Sequence, residues 1–261
     1  MKTFRNLLEY VSRDIRFRAK LPPRFGSRNI WLSPGNHLAV LKPGERKFEA
    51  YLLGFVDRFV DSSSIVWDIG ANMGIFSLPA AHKASFTLAI EPDPFNLELL
   101  HKTLAANVDV NWEVLPAAVA ECIGTAKFNI PIRGRSANGL DKTFFGTQTG
   151  GIRQQFTVLT VTADWILERY PPPTFIKIDA EGAEVLILSG AHELLSRIRP
   201  AIVIEMPKEN AVQSKNIFDQ YDYATFSSYT AVKAEDEIMD ISSAWDVLAI
   251  PREAIPKYIG R

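Results

Sequence analysis

A chain of 261 residues, 47% of them apolar, is long enough for one large or two small domains with a substantial core. Its 29 basic and 30 acidic side chains leave a net charge of −1, which excludes a general electrostatic preference for nucleic acid or for an acidic partner. The single cysteine, Cys122, excludes an internal disulfide and reads as a small buried residue.

No run approaches the ~18 uncharged apolar residues of a spanning helix. Glu9, Arg13 and Asp14 interrupt any signal-peptide core, so the sequence reads as soluble and cytoplasmic. Phe4, Leu7, Leu8, Val11 and Ile15 recur at helical spacing among many Lys and Arg, which predicts a basic amphipathic helix ended by Pro22-Pro23 and Gly26. Such a helix either covers an apolar patch of its own domain or contacts a membrane or a partner. A short strand pair is expected over 30–41, turning at Ser33-Pro34-Gly35-Asn36. Residues 1–45 therefore form one unit and residues 46–261 the main domain.

Phe48–Val60 reads as a helix. From there the rhythm becomes short apolar runs alternating with helical segments. Strands are predicted at Ile65–Ile69, Phe86–Ile90, Val110–Leu115, Phe175–Ile178 and Ala201–Met206. Helices are predicted at Ile75–His82, Pro94–Asn107, Thr162–Tyr170 and Ala183–Arg197. Strands apolar throughout and separated by helices indicate an α/β fold, a mostly parallel sheet with helices on both faces. Gly124–Ile130 and Phe156–Val161 look like extra strands around a Gly-, Ser-, Asn- and Arg-rich loop, 131–151. Val247–Ile250 suits a last strand.

The run Asp68-Ile69-Gly70-Ala71-Asn72-Met73-Gly74 joins a strand to a helix through glycines, at the strand edge where parallel sheets bind ligands. A dinucleotide fingerprint needs glycines at the first, third and sixth positions. Gly70, Asn72 and Ile75 stand there, so it fails twice. S-adenosylmethionine has no phosphate, and its sulfonium, ammonium and ribose suit acidic residues better. Glu91, ending the next strand, is placed to accept hydrogen bonds from ribose hydroxyls.

Three segments together resemble the FkbM-type methyltransferases: Trp67 through Ser77, Glu91-Pro92-Asp93-Pro94-Phe95-Asn96, and Phe175 through Glu184. Ala117-Ala118-Val119, Leu188-Ser189-Gly190-Ala191 and Pro200 through Glu205 add to the likeness, which runs from about Tyr51 to Met206. The resemblance implies a class I, Rossmann-like methyltransferase fold and O-methylation of a hydroxyl on a small molecule or sugar. It implies that Asp68, Gly70, Asn72 and Gly74 hold the methionine part of the cofactor, Glu91 the ribose, and Ala117 and Ala118 the adenine. Ala71, Ser77 and Pro92 are counted with them.

Methyl transfer from a sulfonium needs chiefly proximity and alignment, and an alcohol acceptor also needs a proton acceptor. Asp179 and Glu181 follow the fourth strand on the same sheet edge, and Asp179, directly ending it, is the first choice for that base. Glu181 and Glu184 have an alternative use as helix caps. Lys177 is expected to face away from the core. Asp179 and Glu205 without a third ligand do not make a metal site, and no metal is expected. His37, His82, His101 and His192 lack metal spacing and read as surface or helix residues. Arg133 and Arg135, in the long loop, are candidates to meet an anionic acceptor. A nucleic-acid partner is not expected, because no Asn/Asp-Pro-Pro-aromatic motif is present and the basic residues cluster at the N-terminus. A nucleic-acid methyltransferase and a non-catalytic cofactor-binding subunit stay open as rival readings.

Overall fold

The computed structural model describes residues 10–141 and 150–260. Its centre is a seven-stranded sheet. In chain order the strands are β3 (Ile65–Ile69), β4 (Phe86–Ile90), β5 (Trp112–Leu115), β10 (Phe175–Ile178), β11 (Ala201–Glu205), β12 (Tyr223–Ser227) and β13 (Asp246–Pro251). They lie side by side as β12-β13-β11-β10-β3-β4-β5. β11, β10, β3, β4 and β5 are parallel, and β13 runs antiparallel to both its neighbours. The chain winds outward from β3 through β4 to β5, then crosses back to β10 on the other side. That reversal opens a crevice beyond the ends of β3 and β10. Six strands running one way in this order, with β13 alone reversed, constitute the class I methyltransferase fold.

The strands bury both faces, which is why they read as continuous apolar runs. Val66, Phe175, Val203 and Leu248 meet one helical layer, which includes α1 (Ala50–Phe59), α2 (Ser77–Lys83) and α3 (Pro94–Ala105). Trp67, Ile69, Ile176, Ile178 and Ile204 meet the other. Its helices include α4 (Ala163–Leu167), α5 (Glu184–Ser189) and α6 (Lys208–Gln220). Asp93 caps α3 by accepting the Phe95 N–H at 2.9 Å, with Pro94 in the first turn. Among the described residues no helix is long and apolar enough to cross a membrane.

A second sheet lies against that other layer and contains β6 (Ala118–Val119), β7 (Gly124–Pro131), β8 (Gly139–Leu140) and β9 (Ile152–Val161) in the order β6-β9-β7-β8. It absorbs part of the expected loop, whose residues 142–149 lie outside those described.

The N-terminal segment differs from expectation. Phe4, Leu7 and Leu8 lie outside the described residues, and among the described residues before Phe17 helix is found only at Tyr10 and Val11. Val11 and Ile15 are exposed. The strand pair over 30–41 is not formed. Instead β1 (Phe17–Lys20) pairs antiparallel with β2 (Asn29–Leu32), and Leu38–Leu41 is a 3-10 turn. The physical reason is Asn36. Its amide is buried and donates to Asn72 Oδ1 and Asn96 Oδ1, each at 2.5 Å, so the chain after Ser33 turns inward rather than back along β2. Leu21, Phe25, Ile30 and Leu32 join the core that holds Leu53 and Val56. Cys122, expected to be buried, is exposed.

Candidate active site

β3 ends at Ile69, and the backbone N–H groups of Gly70 and Ala71 both donate to Ile90 O at 3.0 Å. Gly70 has φ +79, and a Cβ built there would lie 1.8 Å from Asp179 O, so only glycine fits. Asn72 has φ +52, a left-handed geometry that asparagine tolerates better than most residues. Its N–H donates to Glu91 Oε2 at 2.8 Å. Glu91 Oε1 accepts the Asp93 N–H at 2.8 Å. Burial, and then the charge of Asp93, push the Glu91 carboxyl up to about 7. Two backbone donors and the nearby Asn96 side chain take up part of the roughly four acceptor positions a carboxylate offers.

Asp68, Ser77 and Gly74, expected from sequence as cofactor contacts, stand behind the residues that line the crevice. Lys177 of β10 stands directly opposite Asp68 of β3 in the sheet register. Its ammonium lies 3.2 Å from Asp68 Oδ1, and Ser77 Oγ donates to Asp68 Oδ2 at 2.5 Å. Asp68 is thereby a fully buried carboxylate with a donor on each oxygen, behind the loop. Gly74, with φ +83, faces Leu100 Cδ2 at 2.9 Å from a built Cβ and serves the turn and its packing. Lys177, expected to face away from the core, is buried and lines the crevice. Burial alone would lower its pKa, but Asp68 and Asp179 outweigh that and raise it.

At the other end, Asp179 Oδ2 lies 3.3 Å from the Lys177 ammonium. Burial would raise Asp179, yet Lys177 and a hydrogen bond from Glu205 bring it below the usual carboxylate range. Glu205 moves the opposite way, raised by burial and by Asp179, so the proton of this pair resides on Glu205. A depressed pKa makes Asp179 a weak base, which counts against the role first assigned to it. Glu181, with φ +49, faces the cavity and is pushed up to about 8 by burial, Asp179 and Glu184. Glu184 does not cap α5 but braces the turn before it, its Oε1 accepting the N–H groups of Gly182 at 3.1 Å and Ala180 at 3.4 Å. Asn210 donates to its Oε2 at 2.9 Å.

Carboxylate oxygens of Asp179, Glu181 and Glu205 lie within 4.8 Å of one another, a spacing that ligands of one cation also show. Glu181 is the third acid that the sequence pattern did not bring to the pair. The Lys177 ammonium and the proton shared with Glu205 already compensate Asp179.

These groups enclose a cavity of about 430 Å³, within the range of small-molecule sites. Gly70, Ala71, Asn72, Glu91, Pro92, Ala117, Ala118, Asp179 and Glu181 all line it, as expected from sequence. Ile90, Val119, Phe128 and Leu140 make an apolar slot beyond Glu91. Arg135 is not available to an anionic ligand. Its guanidinium is bound to Asp93 at 2.7 and 3.1 Å and stacks 4.5 Å from the Phe95 ring centroid, while Asn138 also donates to Asp93 at 3.0 Å. Arg133 is exposed.

Sequence reasoning missed His37, Glu49, Tyr51 and Trp245, which line the same cavity. His37 Nδ1 lies 2.7 Å from Glu49 Oε1, and Tyr51 OH donates to Glu49 Oε2 at 2.8 Å. Burial raises Glu49, but these two hydrogen bonds outweigh it and leave the carboxyl below its ordinary value. One signal for Trp245 was available. An antiparallel last strand begins at the edge where its parallel neighbours end, so the residue before β13 falls beside the end of β11.

Fold and crevice together are those of the class I methyltransferases. Within that class the Methyltransferase FkbM domain matches residues 68–228, and the chain belongs to this family. The chain is 26% identical over 153 residues to the hexuronic acid methyltransferase AglP of Haloferax volcanii, covering 55% of this chain and 56% of that protein. It is 33% identical over 82 residues to the uncharacterized protein MJ1452 of Methanocaldococcus jannaschii, 31% of each chain. The chain thus spans about half the length, or less, of these two curated relatives. Among solved structures it is similar to the methyltransferase FkbM from Methylobacillus flagellatus, with 19% identity and a TM-score of 0.47 over 72% of this chain and 43% of that one.

Proposed function

We propose that the chain transfers a methyl group from S-adenosylmethionine to a hydroxyl group of a small molecule or sugar. The observation that carries this reading is the chemistry of the two cavity ends. Glu91 lines the cavity beside an apolar slot, where its carboxylate would accept from a ribose hydroxyl, and the opposite end is acidic and suits a cation. Gly70, Ala71 and Asn72 would hold the amino-acid part, Glu91 and Pro92 the ribose, and Ala117 and Ala118 the adenine. The cofactor, when bound, supplies an electrophilic methyl group on a sulfonium.

Asp179, held ionised by Lys177, orients the acceptor hydroxyl. Glu181 takes its proton, because a cationic ligand nearby draws a carboxyl raised to about 8 toward ionisation. With the cofactor held there, its methyl group would be supplied to the acceptor oxygen, the bonding pair staying on sulfur, while Glu181 would hold the proton that the hydroxyl gives up. The hexuronic acid named for the archaeal relative supports a sugar acceptor in general terms. Calorimetry with S-adenosylmethionine, followed by a search for S-adenosylhomocysteine formed with hydroxylated acceptors, tests the reading. Absence of cofactor binding by the folded protein sinks it, and binding without turnover on any acceptor favours a non-catalytic subunit.

A further inference from the structure

Beyond the acids, the transfer end of the cavity opens on a rim that the cofactor reading leaves unused. Trp245, just before β13, lines the cavity while 71% of its surface is exposed. Tyr51, the second residue of α1, also lines it and is 41% exposed. Tyr51 meets the Phe55 ring edge-on at 6.0 Å, and Phe55 lies 6.4 Å from the exposed Tyr229. Large rings left in water at the mouth of a polar cavity present flat apolar faces to whatever enters. Between them stand groups suited to hydroxyls. Glu49 is held by His37 and Tyr51, and with Nδ1 engaged, the other nitrogen of His37 has no partner among the described residues.

Charge narrows the class of ligand. The rim and its floor carry Glu49 and Asp179, both held below the ordinary carboxylate range, beside the raised carboxyls of Glu181 and Glu205, while the one Lys or Arg among the described cavity-lining residues is Lys177. That ammonium is already bound to Asp68 and Asp179. Arg135 is committed to Asp93. A carboxylate or phosphate on the acceptor would therefore meet like charge with no free cation to match it. An uncharged polyol ring meets an aromatic face and hydrogen-bonding partners.

Resting on the methyl-transfer reading, we propose that this rim is the acceptor subsite and that it takes an uncharged sugar ring. The C–H face of the sugar lies on Trp245, its hydroxyls bond to Glu49 and His37, and one hydroxyl is directed to Glu181. A sugar bearing a carboxylate is excluded by the acidic wall.

The test uses the full chain saturated with S-adenosylhomocysteine, near neutral pH. Saturation-transfer NMR is run with methyl glycosides of neutral hexoses, N-acetylhexosamines and hexuronic acids. Neutral glycosides are expected to bind and hexuronates not. Trp245→Ala should weaken neutral-glycoside binding by about tenfold with S-adenosylhomocysteine affinity unchanged, and Trp245→Phe should restore part of it. Equal or better binding of hexuronates, unchanged binding in Trp245→Ala, or no neutral glycoside bound would each overturn the subsite. Failure to bind S-adenosylhomocysteine at all would overturn the methyl-transfer reading and the subsite with it.

Discussion

The two ends of the cavity hold carboxylates in opposite ways. At the β4 end, Glu91 is fixed by backbone N–H groups of Asn72 and Asp93, donors that belong to the fold itself. At the β10 and β11 end, Asp179, Glu181 and Glu205 are held by side chains, Lys177 among them. Backbone donors fix a geometry for recognition, whereas a cluster of side chains whose pKa values are pushed apart can move a proton. The family match divides similarly. Residues 68–228 contain Glu91 and the three acids, while His37, Glu49, Tyr51 and Trp245 all fall outside them. On the proposed reading, cofactor handling and proton transfer would belong to the matched region and the acceptor rim to the flanks.

Substitutions at either end sharpen that contrast. The largest effect is expected for Lys177→Met, which strands the buried Asp68 charge. It should destabilise the fold by roughly 3–5 kcal/mol, read as a fall in thermal midpoint. Glu181→Gln should leave cofactor affinity within a few-fold while turnover drops by roughly 10²–10⁴. Unchanged turnover would move the base elsewhere. Glu91→Gln acts at the other end, weakening S-adenosylmethionine binding in calorimetry by roughly 1.5–3 kcal/mol.

The pH response should separate the ends further. A carboxyl raised to about 7 at Glu91 binds its proton more tightly folded than unfolded. Its stabilising contribution is complete below the ordinary carboxylate range and is lost as pH rises through about 7. The ligand-free protein should therefore lose melting temperature from about pH 5 to about 8, with Glu181 adding in the same direction. Ribose hydroxyls favour the ionised Glu91, so cofactor affinity should rise over that window, and Glu91→Gln should flatten the rise. The smallest effect is expected from a chelator. Lys177 supplies the positive charge beside Asp179, so turnover should be unchanged, and a loss restored by Mg²⁺ would replace that account with a metal-bound trio.

The central strands were legible because they are buried on both faces. Ile65–Ile69, Phe86–Ile90 and Phe175–Ile178 match to the residue. α6 was not predicted, since its exposed face is polar and it buries only Ala211, Ser214, Lys215 and Phe218. The pair β1 and β2 was misplaced because a buried Asn36 amide, rather than any turn preference, decides where that chain bends. In the site, residues on the glycine loop and at strand ends were legible from position alone. The pairing of Asp68 with Lys177 was not legible because it depends on the register of two strands more than a hundred residues apart in sequence. His37 and Glu49 carry no local pattern at all, and only the folded chain brings them to the cavity.

The contact between Gly70 and Asp179 has one more consequence. With a built Cβ at 1.8 Å from Asp179 O, the Asp179 N–H bonded to Ile69 O at 3.0 Å, and Lys177 reaching Gly70 O at 3.4 Å, the loop and the turn beyond β10 form one mechanical piece. Neither can shift without carrying the other. A ligand that tightens the loop also tightens the turn bearing Asp179 and Glu181, and by thermodynamic reciprocity the second ligand returns the same increment to the first. On the methyl-transfer reading, donor and acceptor occupancy would then be linked through backbone, with the Lys177 side chain as one further tie.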